Sequence, residues 1–142
     1  MIFCTRRIQF CAGHRVHNHE SRCKNFHGHN YVAFFEAQAP ELDPLGRVID
    51  FSVLKESIGG WIDQYWDHGF LYWKDDREAH EVLRLVAGQK LYVMPTNPTA
   101  ENMAHYLLTT ICPRQLSLVS SSVVVRKVII WETENCFAEA GL

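Results

Sequence analysis

The chain has 142 residues, enough for one domain with its own core, and 47% of them are apolar, which excludes a disordered polypeptide. The 14 basic and 16 acidic residues leave a formal net charge of −2 with no basic stripe, so nucleic acid is not an expected partner. No apolar run approaches the length that spans a membrane, and Met1-Ile2-Phe3-Cys4-Thr5-Arg6-Arg7 lacks the apolar stretch of a signal peptide, so a cytoplasmic protein is expected.

Residues 2–14 read as a strand, because Arg6, Ile8, Phe10, Ala12 and His14 share one face at period two. Residues 15–26 are polar and charged and read as a loop. Residues 27–38, with aromatics and valine, read as a second strand that ends at Ala39-Pro40. The spacing of Phe51, Leu54, Ile58, Trp61 and Tyr65 predicts a helix from Asp50 to Trp66, with Asp50 or Ser52 as cap. Between 67 and 95 the pattern is weak: a short helix from Asp76 to Ala87 ending at Gly88, then a short strand from Leu91 to Met94. Asn97-Pro98-Thr99 opens a second main helix whose buried face is Met103, Ala104, Leu107, Leu108 and Ile111, and Pro113 is expected to stop it. Residues 122–132 read as a strand, Thr133-Glu134-Asn135 as a turn, and the last residues as a returning strand. The order strand, strand, helix, helix, strand, strand predicts a single α+β domain over 1–142, with an antiparallel sheet.

Five cysteines, Cys4, Cys11, Cys23, Cys112 and Cys136, form no CxxC pair, and an odd count without a signal peptide argues against a disulfide framework. The histidines say more, since His14, His17, His19, His27 and His29 fall within sixteen positions. His27 and His29 at i and i+2 point to one side of a strand. If the first two strands pair as a hairpin, His14 joins them, and three neutral imidazoles with an open position describe a catalytic zinc site. The plainer reading is an exposed polar strand end. Cys23 precedes His27 by four positions; beside a cation its thiolate is favoured and can act as a base, but it also reads as a fourth ligand or as a bystander thiol. Asp67-His68 follows the first helix, where a carboxylate can orient an imidazole for proton transfer; a histidine is also favourable at any helix C-terminus. Glu132 can accept from a ring with paired N–H donors, or it is a solvated strand end.

Taken in order, Phe10-Cys11-Ala12-Gly13-His14, Cys23-Lys24-Asn25-Phe26-His27-Gly28-His29-Asn30-Tyr31, Asp50-Phe51, Asp67-His68, Asn97-Pro98-Thr99-Ala100-Glu101-Asn102 and Trp131-Glu132-Thr133-Glu134-Asn135 resemble the 6-pyruvoyl tetrahydropterin synthase superfamily over nearly the whole chain. The resemblance implies the tunnelling fold (T-fold), an antiparallel sheet with two main helices on one face. It also implies a homo-oligomer, trimer-based and usually hexameric, whose active sites lie between subunits. It implies zinc on His14, His27 and His29, Cys23 as catalytic cysteine with Asp67 and His68 completing the proton-transfer set, and Glu132 as the anchor of the pterin ring. Thr99 and Glu101 match the segment lining the pterin pocket. Three residues separate Cys23 from His27, which looks like the bacterial 6-carboxy-tetrahydropterin synthases of queuosine and deazapurine biosynthesis; the animal-type pyruvoyl synthases usually place five there. The expected reaction converts 7,8-dihydroneopterin triphosphate to 6-carboxy-5,6,7,8-tetrahydropterin. The alternatives are the 6-pyruvoyl product and a non-catalytic zinc- or pterin-binding protein. Two departures stand out: a link at about 72–95 longer than in compact bacterial members, and Trp66 where a leucine commonly precedes the Asp-His pair.

Overall fold

Alternation of apolar and polar residues builds the centre of the sheet. In the computed structural model, which describes residues 1–142, strand β1 (Cys4–His14) buries Ile8, Phe10, Ala12 and His14 and turns the residues between them outward. Strand β2 (His27–Gln38) buries Tyr31, Ala33, Phe35 and Ala37 in the same way. The two pair antiparallel, with His14 opposite His27 and Ala12 opposite His29. This is the hairpin expected from the sequence. Beyond β2 lie β5 (Val124–Thr133) and β6 (Cys136–Gly141), each antiparallel to its neighbour.

Two shorter strands, β3 (Gly69–Trp73) and β4 (Leu91–Met94), extend the other edge in parallel, giving the order β4-β3-β1-β2-β5-β6. The antiparallel four-strand sheet is therefore part of a six-strand mixed one. Strand β3 went unread because five residues directly after a helix show no resolvable period. Strand β4 is parallel to β3 because helix α2 (Arg77–Leu83) lies in a crossover between them, the connection that parallel neighbours require. That helix is capped by Asp76, and the chain leaves its last turns at Gly88, whose φ of 77° suits a residue without a Cβ.

The two main helices are each broken by a π-helical turn. Helix α1 (51–65) runs through Phe51–Leu54, a π-helical segment Lys55–Gly59, and Gly60–Tyr65. Asp50 caps it by accepting from Ser52 N–H. Its buried residues are Leu54, Ile58, Trp61, Ile62 and Trp66, whereas Phe51 and Tyr65 are exposed. The expected stripe is thus shifted: the widened turn brings every fourth residue back to one face, so Ile62 and Trp66 replace Tyr65 in the core. Gly59 lets this helix lie close to β1, since a Cβ there would stand 3.3 Å from Ile8 Cδ1.

Helix α3 (100–116) runs through Ala100–Tyr106, a π-helical segment Leu107–Ile111, and Cys112–Leu116. Pro113 does not stop it. The π-turn has already interrupted the i→i−4 ladder, and Pro113 falls in the first turn of the next segment, where a missing N–H is tolerated. Its buried side chains, Met103, Ala104, Leu107, Leu108 and Ile111, are those expected. Helix α1 packs on β1 and α3 on β5 and β6. Their buried side chains join those of the sheet in one cluster of 27 residues. Burying an aliphatic side chain such as Leu54 or Ile58 stabilises by about 1.5–3 kcal/mol. No helix is long and apolar enough to cross a membrane.

Candidate active site

The C-terminal end of β1 and the N-terminal end of β2 meet at the neck of the hairpin, and the inward-facing residues there are all histidines. His14, His27 and His29 each offer a ring nitrogen, and these atoms lie within 4.8 Å of one another. Ring centroids are 4.6 Å apart for His14 and His27, 4.9 Å for His27 and His29, and 5.2 Å for His14 and His29. On the opposite face Gly13 stands across from Gly28. A Cβ on Gly13 would lie 2.5 Å from the Phe70 ring, so this glycine lets β3 close against β1.

Two of the three imidazoles are held through Nδ1. The Nδ1 of His14 lies 2.7 Å from the carbonyl oxygen of Pro98, and that of His27 lies 2.6 Å from the carbonyl oxygen of Asn25. A carbonyl only accepts, so both Nδ1 atoms carry a proton and both Nε2 atoms are left for another partner. The Nε2 of His14 is buried and has no hydrogen-bond partner. Burial pushes the His14 imidazole down to about 4 against the opposing Pro98 bond, and the neighbouring His27 and His29 push it the same way. His29 is also lowered, by burial first and against the attraction of Glu132. Three convergent imidazoles with orphaned buried nitrogens could hold a metal ion.

Glu132, near the end of β5, reaches this cluster: its Oε1 is 3.1 Å from His29 Nε2. That is ion-pair distance without hydrogen-bond alignment, so His29 Nε2 also lacks a hydrogen-bond partner. Tyr31, two positions along β2, packs its ring 5.4 Å from His29 and 5.9 Å from His14, and its buried hydroxyl is unpartnered. Burial first, then the charges of Glu132 and Cys23, raise that hydroxyl above its ordinary range. Cys23 is half-buried in the 3₁₀ turn Arg22–Lys24, and its carbonyl accepts from Val16 N–H at 2.8 Å.

Asp67 and His68 stand elsewhere. His68 takes a left-handed conformation, φ 59°, at the end of α1, and this lets two adjacent side chains meet: His68 Nδ1 is 2.8 Å from Asp67 Oδ2. The other carboxylate oxygen accepts from Cys11 N–H at 2.9 Å. Burial would raise the Asp67 carboxyl, but the Cys11 bond, His68 and Lys90 outweigh it and hold it below its ordinary value. The His68 ring is 78% exposed and borders a cleft lined also by Cys11, Ala12, Gly13, Gly28, His29 and Asn30.

The Asn97–Asn102 segment contributes through groups the sequence reading did not single out. Pro98 supplies its carbonyl to His14, and the side chain of Asn97 brackets the backbone of His17. Thr99 caps α3 by accepting from Asn102 N–H, and Glu101 is exposed in the first turn. No side-chain pattern reveals a backbone carbonyl as a histidine's partner. Buried Tyr31 and Asp76 and part-buried Arg15 carry no local sequence signal of their contacts.

Residues 3–141 match the family model of 6-pyruvoyl tetrahydropterin synthase. A 6-carboxy-5,6,7,8-tetrahydropterin synthase from Rickettsia conorii is 43% identical over 139 residues, covering 98% of this chain and 99% of that protein. The structure of Caenorhabditis elegans 6-pyruvoyl tetrahydropterin synthase superposes with a TM-score of 0.65 at 26% identity, covering 99% of this chain and 95% of that one. An uncharacterized protein from Wolinella succinogenes superposes with a TM-score of 0.81 at 23% identity, covering 99% and 97%. The T-fold, the clustered histidines and the match over almost every residue make the chain a member of the 6-pyruvoyl tetrahydropterin synthase family.

Proposed function

We propose that the protein is a zinc-dependent lyase that converts 7,8-dihydroneopterin triphosphate to 6-carboxy-5,6,7,8-tetrahydropterin, the step used in queuosine and deazapurine synthesis in the cytoplasm. The observation that carries the reading is the convergence of three histidines, two with an orphaned buried nitrogen, beside a carboxylate. The spacing of Cys23 from His27 and the name of the Rickettsia relative support the carboxy product over the pyruvoyl one.

His14, His27 and His29 would hold the zinc. When bound, zinc polarises oxygens of the substrate side chain and acidifies the adjacent C–H. Cys23, as thiolate, takes that proton. Glu132 accepts from the paired N–H donors of the pterin ring and fixes its orientation. Thr99 and Glu101 border the ring. His68 has Nδ1 bound to Asp67, which leaves Nε2 to deliver or receive a proton. His68 borders the cleft on the Cys11–Asn30 side of the hairpin and is assigned to the substrate of a second copy of the chain, as sites between subunits require. The protein then works as a homo-oligomer, hexameric in the family's usual form, with sites between subunits.

Turnover of 7,8-dihydroneopterin triphosphate before chelation, after chelation and after zinc is restored tests the reading. Loss followed by recovery supports it. Turnover indifferent to chelation overturns the metal assignment.

A further inference from the structure

The loop that carries Cys23 is fastened by residues that no step of the proposed chemistry uses. Arg15 and Phe26 stand at its neck, directly after His14 and directly before His27. The Arg15 guanidinium lies 5.0 Å over the centre of the Phe26 ring, and Phe26 packs edge-on against Phe70 of β3 at 5.2 Å. The same guanidinium donates through Nε to Asp76 Oδ2 at 2.6 Å and through a second nitrogen to Asp76 Oδ1 at 2.5 Å, a bidentate pair. A third nitrogen donates to Glu78 at 2.8 Å. Asp76 is fully buried and also caps α2 by accepting from Ala79 N–H at 3.1 Å. On the far side of the loop Asn97 accepts from His17 N–H and donates to His17 carbonyl, both at 2.9 Å.

A carboxylate that only capped α2 would need no guanidinium, and a guanidinium that only neutralised it would not need to lie on Phe26. Exposed ion pairs contribute little. This one is bidentate, buried on the Asp76 side, and joins the crossover helix to the two ends of the cysteine loop. We propose that Arg15, Asp76 and Phe26 are positioning residues that set the Cys23 loop over the histidine cluster, and that the link at 72–95 supplies the carboxylate that locks it. The inference rests on Cys23 as the reactive thiol. Displacing a reacting group by about 1 Å costs on the order of 10²-fold in rate, so a loosened loop lowers kcat more than it changes KM.

The test uses zinc-loaded full-length protein in three forms: wild type, the double variant Arg15→Met with Asp76→Asn, and Phe26→Leu. The double variant leaves no orphaned charge and keeps a capping side chain at the start of α2. Each is alkylated with iodoacetamide and the rate at every cysteine is read by peptide mass spectrometry. Exposed Cys136 is the internal reference, and buried Cys112 reports opening of the whole domain. The proposal expects Cys23 to react about tenfold faster relative to Cys136 in both variants, with Cys112 protected and zinc retained, and kcat to fall by about 10–10² at nearly unchanged KM. Glu78→Gln, at the exposed rim, should behave as wild type. An unchanged Cys23 to Cys136 ratio overturns the proposal. If Cys112 reacts in the double variant, that protein has opened as a whole and the ratio in Phe26→Leu decides. Absence of turnover by the wild type would overturn the functional reading instead, while the alkylation ratio still decides this one.

Discussion

The Nδ1 of His14 donates to the carbonyl oxygen of Pro98 across 84 positions of sequence, and that bond turns the free Nε2 toward His27 and His29. The entry to α3 thereby fixes the tautomer of a residue on β1. A three-ligand site rarely tolerates losing one ligand. His14→Ala, His27→Ala and His29→Ala should each strip most of the zinc, measured by elemental analysis per chain. Wild-type zinc content in any one of them would remove that residue from the ligand set.

Cys23 is expected to be a base and not a fourth ligand. Cys23→Ala should therefore keep zinc and fold and lose about 10²–10⁴-fold in kcat. Zinc content and turnover should be measured on the same preparation. Zinc lost together with activity would make Cys23 a ligand and the site a closed, structural one.

A site shared between subunits, with Cys23 from one chain and His68 from another, leads to a mixing experiment. His68→Ala and Cys23→Ala should each be inactive alone. Dissociated together and reassembled, they should regain activity, because some sites then combine an intact Cys23 from one chain with an intact His68 from another. No recovery on reassembly would mean that both groups serve the site from one chain.

How much of this was legible follows from the kind of interaction involved. The period-two alternation of β1 and β2 exposes the hairpin, and the hairpin register places His14 opposite His27 without further information. Glu132 ends a run of β-branched residues, so its strand was legible and its reach to His29 was not. The π-turns in α1 and α3 were invisible, because a one-residue widening leaves composition unchanged while rotating which side chains are buried; Tyr65 and Pro113 were misread for that reason. Strand β3 was too short to show a period. The Arg15–Asp76 pair joins residues 61 positions apart, and nothing local marks either one.

That pair also has a pH signature. Burial would raise the Asp76 carboxyl, but its bonds to Arg15 and Ala79 N–H and the charges of Arg15 and His17 hold it below its ordinary 3.8. The folded state then binds fewer protons than the unfolded state near that value. The stabilisation is fully present above 3.8 and is lost as pH falls below it through the native value. Asp76→Asn leaves Arg15 paired only with Glu78 at the rim and should destabilise chelated protein at neutral pH by about 2 kcal/mol. The gap to wild type should narrow as urea melts are taken down to acid. A gap that stays constant with pH would show that Asp76 is not held as a carboxylate.

The most direct measurement is the identity of the product. Zinc-loaded protein incubated with 7,8-dihydroneopterin triphosphate should yield, by mass spectrometry, 6-carboxy-5,6,7,8-tetrahydropterin together with triphosphate and acetaldehyde. A pterin that keeps the full three-carbon side chain as the 6-pyruvoyl product, or a substrate left unconsumed, would contradict the account.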